Sequence, residues 1–186
     1  YVAAWNMLSV VYSSLAGLGV ISDAEGYPQA IETARKALAI DPNSADAYAE
    51  LAQVALTADD DQKEAARYLQ MALKLEPNNV YALGGASTLA KSLGRLDLAV
   101  RIQQQAVARD PLMSNAYSEL CLALFQSGRI DDSIVECRTA LALEPNRIIT
   151  HATLGLALLA KGDARQALAE ADAEPFEPFR MFGRAM

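Results

Sequence analysis

The sequence predicts an all-α protein built from antiparallel helix pairs, and three observations carry that prediction. Ala (36) and Leu (25) supply about a third of the 186 residues, and both favour helices. Ten glycines and seven prolines are too few for the frequent turns of an all-β sandwich. The third observation is a recurrence: KALAIDPN (36–43), MALKLEPN (71–78), QAVARDPL (105–112) and TALALEPN (139–146) end alike. Their prolines, Pro42, Pro77, Pro111 and Pro145, are spaced 35, 34 and 34, each with an alanine five residues earlier: Ala37, Ala72, Ala106 and Ala140. With 52% hydrophobic and 6% aromatic residues, the core must consist of small and medium side chains.

Each period reads as two helices. The first unit, about 2–44, carries Trp5-Leu8-Ser9-Tyr12, whose spacing of three, one and three puts all four on one helix face. About nine extra residues within 15–29 either lengthen its first helix or form a surface loop. The second unit (45–79) repeats the pattern as Tyr48-Leu51-Ala52-Ala55, with one extra residue in the acidic turn Asp59-Asp60-Asp61. The third (80–113) has Leu83-Ala86-Ser87-Ala90, without bulk at either end. The fourth (114–147) has Tyr117-Leu120-Cys121-Leu124, and the fifth (148–175) has His151-Leu154-Gly155-Leu158. Second helices carry a small residue at Ala30, Ala65, Ala99, Ser133 and Ala167, where two backbones can approach. Gly94, Gly128 and Gly162 suit a left-handed helix stop, and Asp97, Asp131 and Asp163 follow near the next helix start. Ser44, Asn79 and Ser114 are the expected caps of first helices. Pro175 and Pro178 end the last second helix early. Residues 176–186 then read as the start of a sixth first helix opening on Phe182, with Ala185 and Met186.

A 34-residue period with these residues resembles the tetratricopeptide repeat, a helix–turn–helix unit. The resemblance covers essentially the whole chain. It implies a single right-handed α-solenoid, a superhelix of antiparallel helix pairs over residues 1–186, expected to be one piece of a longer array. It also implies a concave wall of first helices that binds a peptide or partner protein. The wall positions lie two before and one, five and eight after each large anchor. In the first three units these include Asn6, Val10, Asp46, Gln53, Tyr81, Thr88 and Lys91. In the last two they are Asn115, Ser118, Leu122, Phe125, Ile149, Ala152, Leu156 and Leu159. The wall lacks the Lys, Arg and Asn array with which chaperone-binding relatives clamp a C-terminal carboxylate. From Leu122 onward it is apolar, and such a patch marks an interaction site unless neighbouring sequence covers it. An alternative rests on layout: the stretched first unit is similar to repeat regions that follow bacterial adenylate/guanylate cyclase or winged-helix domains. On that reading the chain is a regulatory or sensor segment of a larger signalling protein.

Other functions find little support. The net charge is −7, and basic residues never cluster as phosphate contacts require, so no direct nucleic-acid partner is expected. Tyr1 to Ser22 carries no charge, but Trp5, Asn6, three serines and two glycines dilute it, and a buried helix is expected rather than a membrane span. One histidine and scattered carboxylates assemble no nucleophile–base pair, no metal site and no cofactor cradle, so no enzymatic role is expected. His151 takes a packing role in the aromatic column, and Cys121 and Cys137 are expected as buried free thiols acting as small hydrophobes. Cysteine usage points to a cytoplasmic location, with the periplasm as the alternative. The ends of the array could pair two copies as a homodimer, because a terminal repeat without a polar cap exposes core surface.

Overall fold

The computed structural model describes residues 1–185, with Phe182 described by its backbone alone. Among the described residues the chain is helical throughout, with no strand. It divides into two compact units, Tyr1–Leu93 and Gly94–Met186.

The first unit holds α1 (Val2–Gly17), α2 (Asp23–Ile40), α3 (Ala45–Thr57), α4 (Gln62–Leu75) and α5 (Val80–Ser92). α1 pairs with α2 and α3 with α4, while α3 also packs on the first pair and α5 on the second. The small-residue columns produce this closeness: Ala30, Ala37, Ala52, Ala65 and Ala72 are fully buried where helices cross. Where a column carries serine, the hydroxyl finds a backbone partner, as Ser9 Oγ donates to the Ala30 carbonyl at 2.7 Å. The extra residues of the first repeat go into both helices, since α1 has 16 residues against 13 in α3, and α2 has 18 against 14 in α4. The extra residue of the second repeat does lie in the acidic turn. There Asp60 takes the left-handed corner (φ 49°), and Asp61 caps α4 by accepting from Glu64 N at 2.9 Å.

The second unit holds α6 (Leu96–Arg109), α7 (Ser114–Gln126), α8 (Ile130–Leu143), α9 (Thr150–Ala160), α10 (Ala164–Ala173) and α11 (Glu177–Ala185). α7 packs on α6 and pairs with α8; α9 lies on both α7 and α8 and pairs with α10; α11 lies on α9 and α10. Gly128 and Gly162 close their helices at φ 77° and 84°, and the N–H of the following residue bonds back to Leu124 and Leu158 respectively, as a left-handed stop requires. At Gly155 a Cβ would come within 3.2 Å of the Ala167 carbonyl, so the α9–α10 crossing is tight for any side chain there.

Three expectations are corrected. Cys121 and Cys137 are joined in a disulfide, with Cα atoms 5.1 Å apart. Cys121 occupies the small-residue column of α7, and Cys137 lies one turn past Ser133 on the same face of α8, which brings the two sulfurs together inside the α7–α8 pair. Ser114 does not cap α7: Met113 stands at that position, and the Ser114 hydroxyl instead donates to Glu144 Oε2 at 2.5 Å. That hydrogen bond, with Arg147, holds the Glu144 carboxyl below its ordinary range. The last helix begins at Glu177, earlier than Phe182, because the chain leaves α10 after Ala173. Its approach to α10 is made by Gly183, where a Cβ would meet the Ala171 side chain at 2.7 Å. The Phe182 side chain and Met186 lie outside the described residues.

Candidate interaction surfaces

In the first unit the expected wall is polar and largely engaged in holding neighbouring repeats together. Asn6 Nδ2 donates to Ser44 Oγ at 3.0 Å, and Ser44 in turn caps α3 by accepting from Ala47 N. Asp46 accepts from Asn79 Nδ2 at 2.6 Å, while Asn79 Oδ1 caps α5. Val10, Gln53, Thr88 and Lys91 are half-buried, and Tyr81 is exposed. Beside this wall stands a residue that sequence reasoning passed over. Glu50 is 7% exposed, and one carboxylate oxygen has no hydrogen-bond partner. Burial pushes its carboxyl above the ordinary range, against a smaller opposite effect from a hydrogen bond with Ser13.

The second unit differs. Asn115 is exposed and accepts from Arg147 Nη2, and Ser118 shares a hydrogen bond with Thr150 at 2.6 Å. Phe125 packs on the core cluster of Cys121, Ile134, Cys137 and Leu154, so it belongs partly to the interior rather than the wall. Ile149 and Leu159 are 38% and 37% exposed; Leu122, Ala152 and Leu156 are half-buried. Between α9, α10 and α11, Ala152, Leu156 and Leu159 join Leu168, Gly183 and Arg184 around an apolar cavity of about 110 Å³. α11 therefore overlies part of the apolar wall and leaves Ile149 and Leu122 outside that cavity.

The start of α9 depends on a residue far along the chain. Ile149 has φ 71°, a left-handed conformation costly for a β-branched side chain, and offers no side-chain cap. The fully buried Glu174 supplies one: it accepts from Ile149 N and Ala152 N, each at 3.2 Å, and from Phe176 N at 3.2 Å. A carboxylate at a helix N-terminus meets both unpaired N–H groups and the positive end of the dipole. The signal for Glu174 was in the sequence, because it stands 34 residues after Ala140, where the alanine column breaks.

His151 carries more than packing. Its ring nitrogens face Glu170 Oε2 at 2.7 Å and the Pro145 carbonyl at 2.9 Å, which anchors α9 to α10 and to the preceding turn. Among the described residues no helix is long and apolar enough to cross a membrane.

Helix pairs on a 34-residue period, crossing through small-residue columns, define a helical-repeat protein. The tetratricopeptide repeat model matches residues 22–80 and 85–148, about two thirds of the chain, and the chain belongs to that family. Solved structures agree on the fold. A thermophilic TPR protein of Thermus thermophilus is 20% identical, covering all of this chain and 96% of its own, with TM-score 0.78. PilF of Pseudomonas aeruginosa is 24% identical over 92% of this chain and 74% of its own, with TM-score 0.70. YrrB, a TPR protein with an unusual peptide-binding site, is 20% identical over 98% of this chain and 91% of its own, with TM-score 0.61. No curated protein matches the chain.

Proposed function

We propose that the chain is a non-catalytic scaffold for protein–protein interaction that takes a peptide or partner segment against the first-helix wall of its second unit. The observation that carries this is the apolar run Leu122, Ile149, Leu156 and Leu159, of which Ile149 and Leu159 stay more than a third exposed. Burying such side chains against a partner gains roughly 25 cal/mol per Å² of apolar surface. YrrB, similar in fold, has a peptide-binding site, which supports a peptide as the ligand class. The polar, internally bonded wall of the first unit offers less to an apolar segment.

Selection from a displayed peptide library, followed by fluorescence anisotropy on the winners, tests this. Leu122→Glu with Leu159→Glu should weaken binding by at least tenfold while helicity and melting stay unchanged. Phe125 is left intact because it packs on the core. Selected peptides that bind the double variant as tightly as the parent would place the site elsewhere.

A further inference from the structure

We propose that α11 is a displaceable strap: in the free chain it holds down the Leu156–Leu159 end of the apolar wall, and a bound peptide takes that end by moving it aside. The proposal rests on the wall of the second unit being the peptide site. The repeat shows that α11 is not one more first helix. α9 starts at Thr150, and one further period of 34 residues would place the next start at residue 184. α11 starts seven residues before that, at Glu177, because α10 stops at 10 residues where α4, α6 and α8 each run to 14. Its cover is correspondingly incomplete. Leu168 of α10 holds the position of Val100 in α6 and Ile134 in α8, which are 2% and 9% exposed where α7 and α9 pack on those helices. Under α11 it stays 51% exposed, and the cavity of about 110 Å³ remains between strap and seat. Well-packed helix contacts leave few voids of that size.

The hold on α11 is weak as well. With nine residues it falls below the roughly 12–15 that an isolated helix needs in water, so it is helical only while docked. Among its described side chains none is buried, and Phe179 and Arg180 are half-buried. Three contacts tie it to α10 and the turn before it. Phe176 N donates to Glu174, Gly183 sits so close to Ala171 that a Cβ would lie 2.7 Å from that side chain, and Arg184 Nε donates to Asp172 Oδ1 at 2.6 Å. Both members of that ion pair are half exposed or more, where water and salt weaken it. The seat determines what displaces the strap. Ala152, Leu156, Leu159 and Leu168 line the cavity, and among its described lining residues only Arg184, on the strap itself, is charged. An apolar peptide segment fits such a seat. Its affinity is lowered by the fraction of chains whose strap is down, so loosening the strap must tighten binding.

Hydrogen exchange followed by mass spectrometry on the 186-residue chain, with and without the selected peptides, reads the strap directly. Bound peptide should speed exchange in α11 and slow it in α9. Arg184→Glu sets a carboxylate against Asp172, and Gly183→Leu bars the approach to Ala171. Both should speed α11 exchange without ligand and tighten the selected peptides by at least about threefold. Because Arg184 is exposed, its variant should keep the rest of the second unit folded. A synthetic peptide of residues 175–186, offered in trans, separates the strap from the peptide wall. It should bind the Gly183→Leu chain about fivefold tighter than the parent, whose own strap competes at high effective concentration. Selected peptides should displace it. Tighter binding without displacement would uphold the strap and overturn the wall as the peptide site. Equal binding of 175–186 to both chains overturns the strap. So does unchanged affinity of the selected peptides for Arg184→Glu despite faster exchange in α11.

Discussion

The buried carboxylate of Glu174 should be worth more to the second unit than any surface ion pair in it. Glu174→Ala leaves the N–H groups of Ile149, Ala152 and Phe176 without the acceptor each now has at 3.2 Å. Losing a helix N-cap alone costs about 0.5–2 kcal/mol, and orphaning a buried donor costs about 1–3 kcal/mol. The bonds are long and water can reach some of the freed groups, so about 2 kcal/mol is the expected loss. For a chain of this size that lowers the melting temperature by about 4–8 °C. Glu174→Gln keeps one acceptor oxygen and should lose about half as much. Hydrogen exchange followed by mass spectrometry should place the added opening in α9 to α11, with α1 to α4 unchanged. Ile149 offers a second handle, because its left-handed backbone costs roughly 1–2 kcal/mol for a residue with a side chain. Ile149→Gly removes that strain, so Glu174→Ala should cost less in the glycine background, with a coupling of at least about 0.5 kcal/mol. Melting within about 1 °C of the parent, with unchanged exchange in α9, would refute the capping argument.

Two further expectations concern the interior. Because burial raises the Glu50 carboxyl above its ordinary value of 4.5, the folded chain keeps a proton that the unfolded chain releases. That contribution to stability is fully present below about pH 4.5 and is lost as pH rises through the raised folded value. Glu50→Gln should therefore melt higher than the parent at pH 7, with the two curves converging in acid; equal melting at both pH values would mean Glu50 is hydrated. Ala140→Leu inserts three carbons where the side chain is 0% exposed, and overpacking should cost about 1–3 kcal/mol by chemical denaturation. A neutral result there would mean that the alanine column does not face a neighbouring helix.

Most of the fold was legible because each repeat meets the same packing demand. Ala37, Ala72, Ala106 and Ala140 recur since a larger side chain at the crossing would push two backbones apart, and that demand leaves a visible period. The left-handed glycine corners were legible for a similar local reason: a few consecutive residues determine the stop. What escaped were contacts whose partners lie in different repeats. Glu174 acts on Ile149, 25 residues away, and nothing near either residue announces the other. Ser114 had the composition of a cap but lost its hydroxyl to Glu144, 30 residues on. The disulfide was hidden for a different reason. Cys121 sits on the small-residue column of α7, but Cys137 lies four residues past Ser133, at a position held in other repeats by Ala34, Leu69 and Gln103, so no recurring pattern pairs the two.

Departures from the columns fall into two kinds, and only one of them bears on function. Ser9, Cys121, Ser133 and Glu174 depart inward: each stands where other repeats carry alanine and brings a group that finds its partner inside the chain. Ser133 Oγ, for example, donates to the Cys121 carbonyl at 2.9 Å. Such substitutions stabilise particular repeats and leave no free valence for a ligand. Ile149 and Leu159 depart outward, placing large apolar side chains at more than a third exposure on or beside a first helix. Contiguous exposed apolar surface gains nothing for folding and costs solubility, and such patches mark interaction sites where single exposed residues do not. A charge introduced at Leu159 should then weaken peptide binding, while one at Met7, on α1, should leave it untouched. If Met7→Glu weakened peptide binding as much as Leu159→Glu, the assignment of the site to the outward residues of α9 would be wrong.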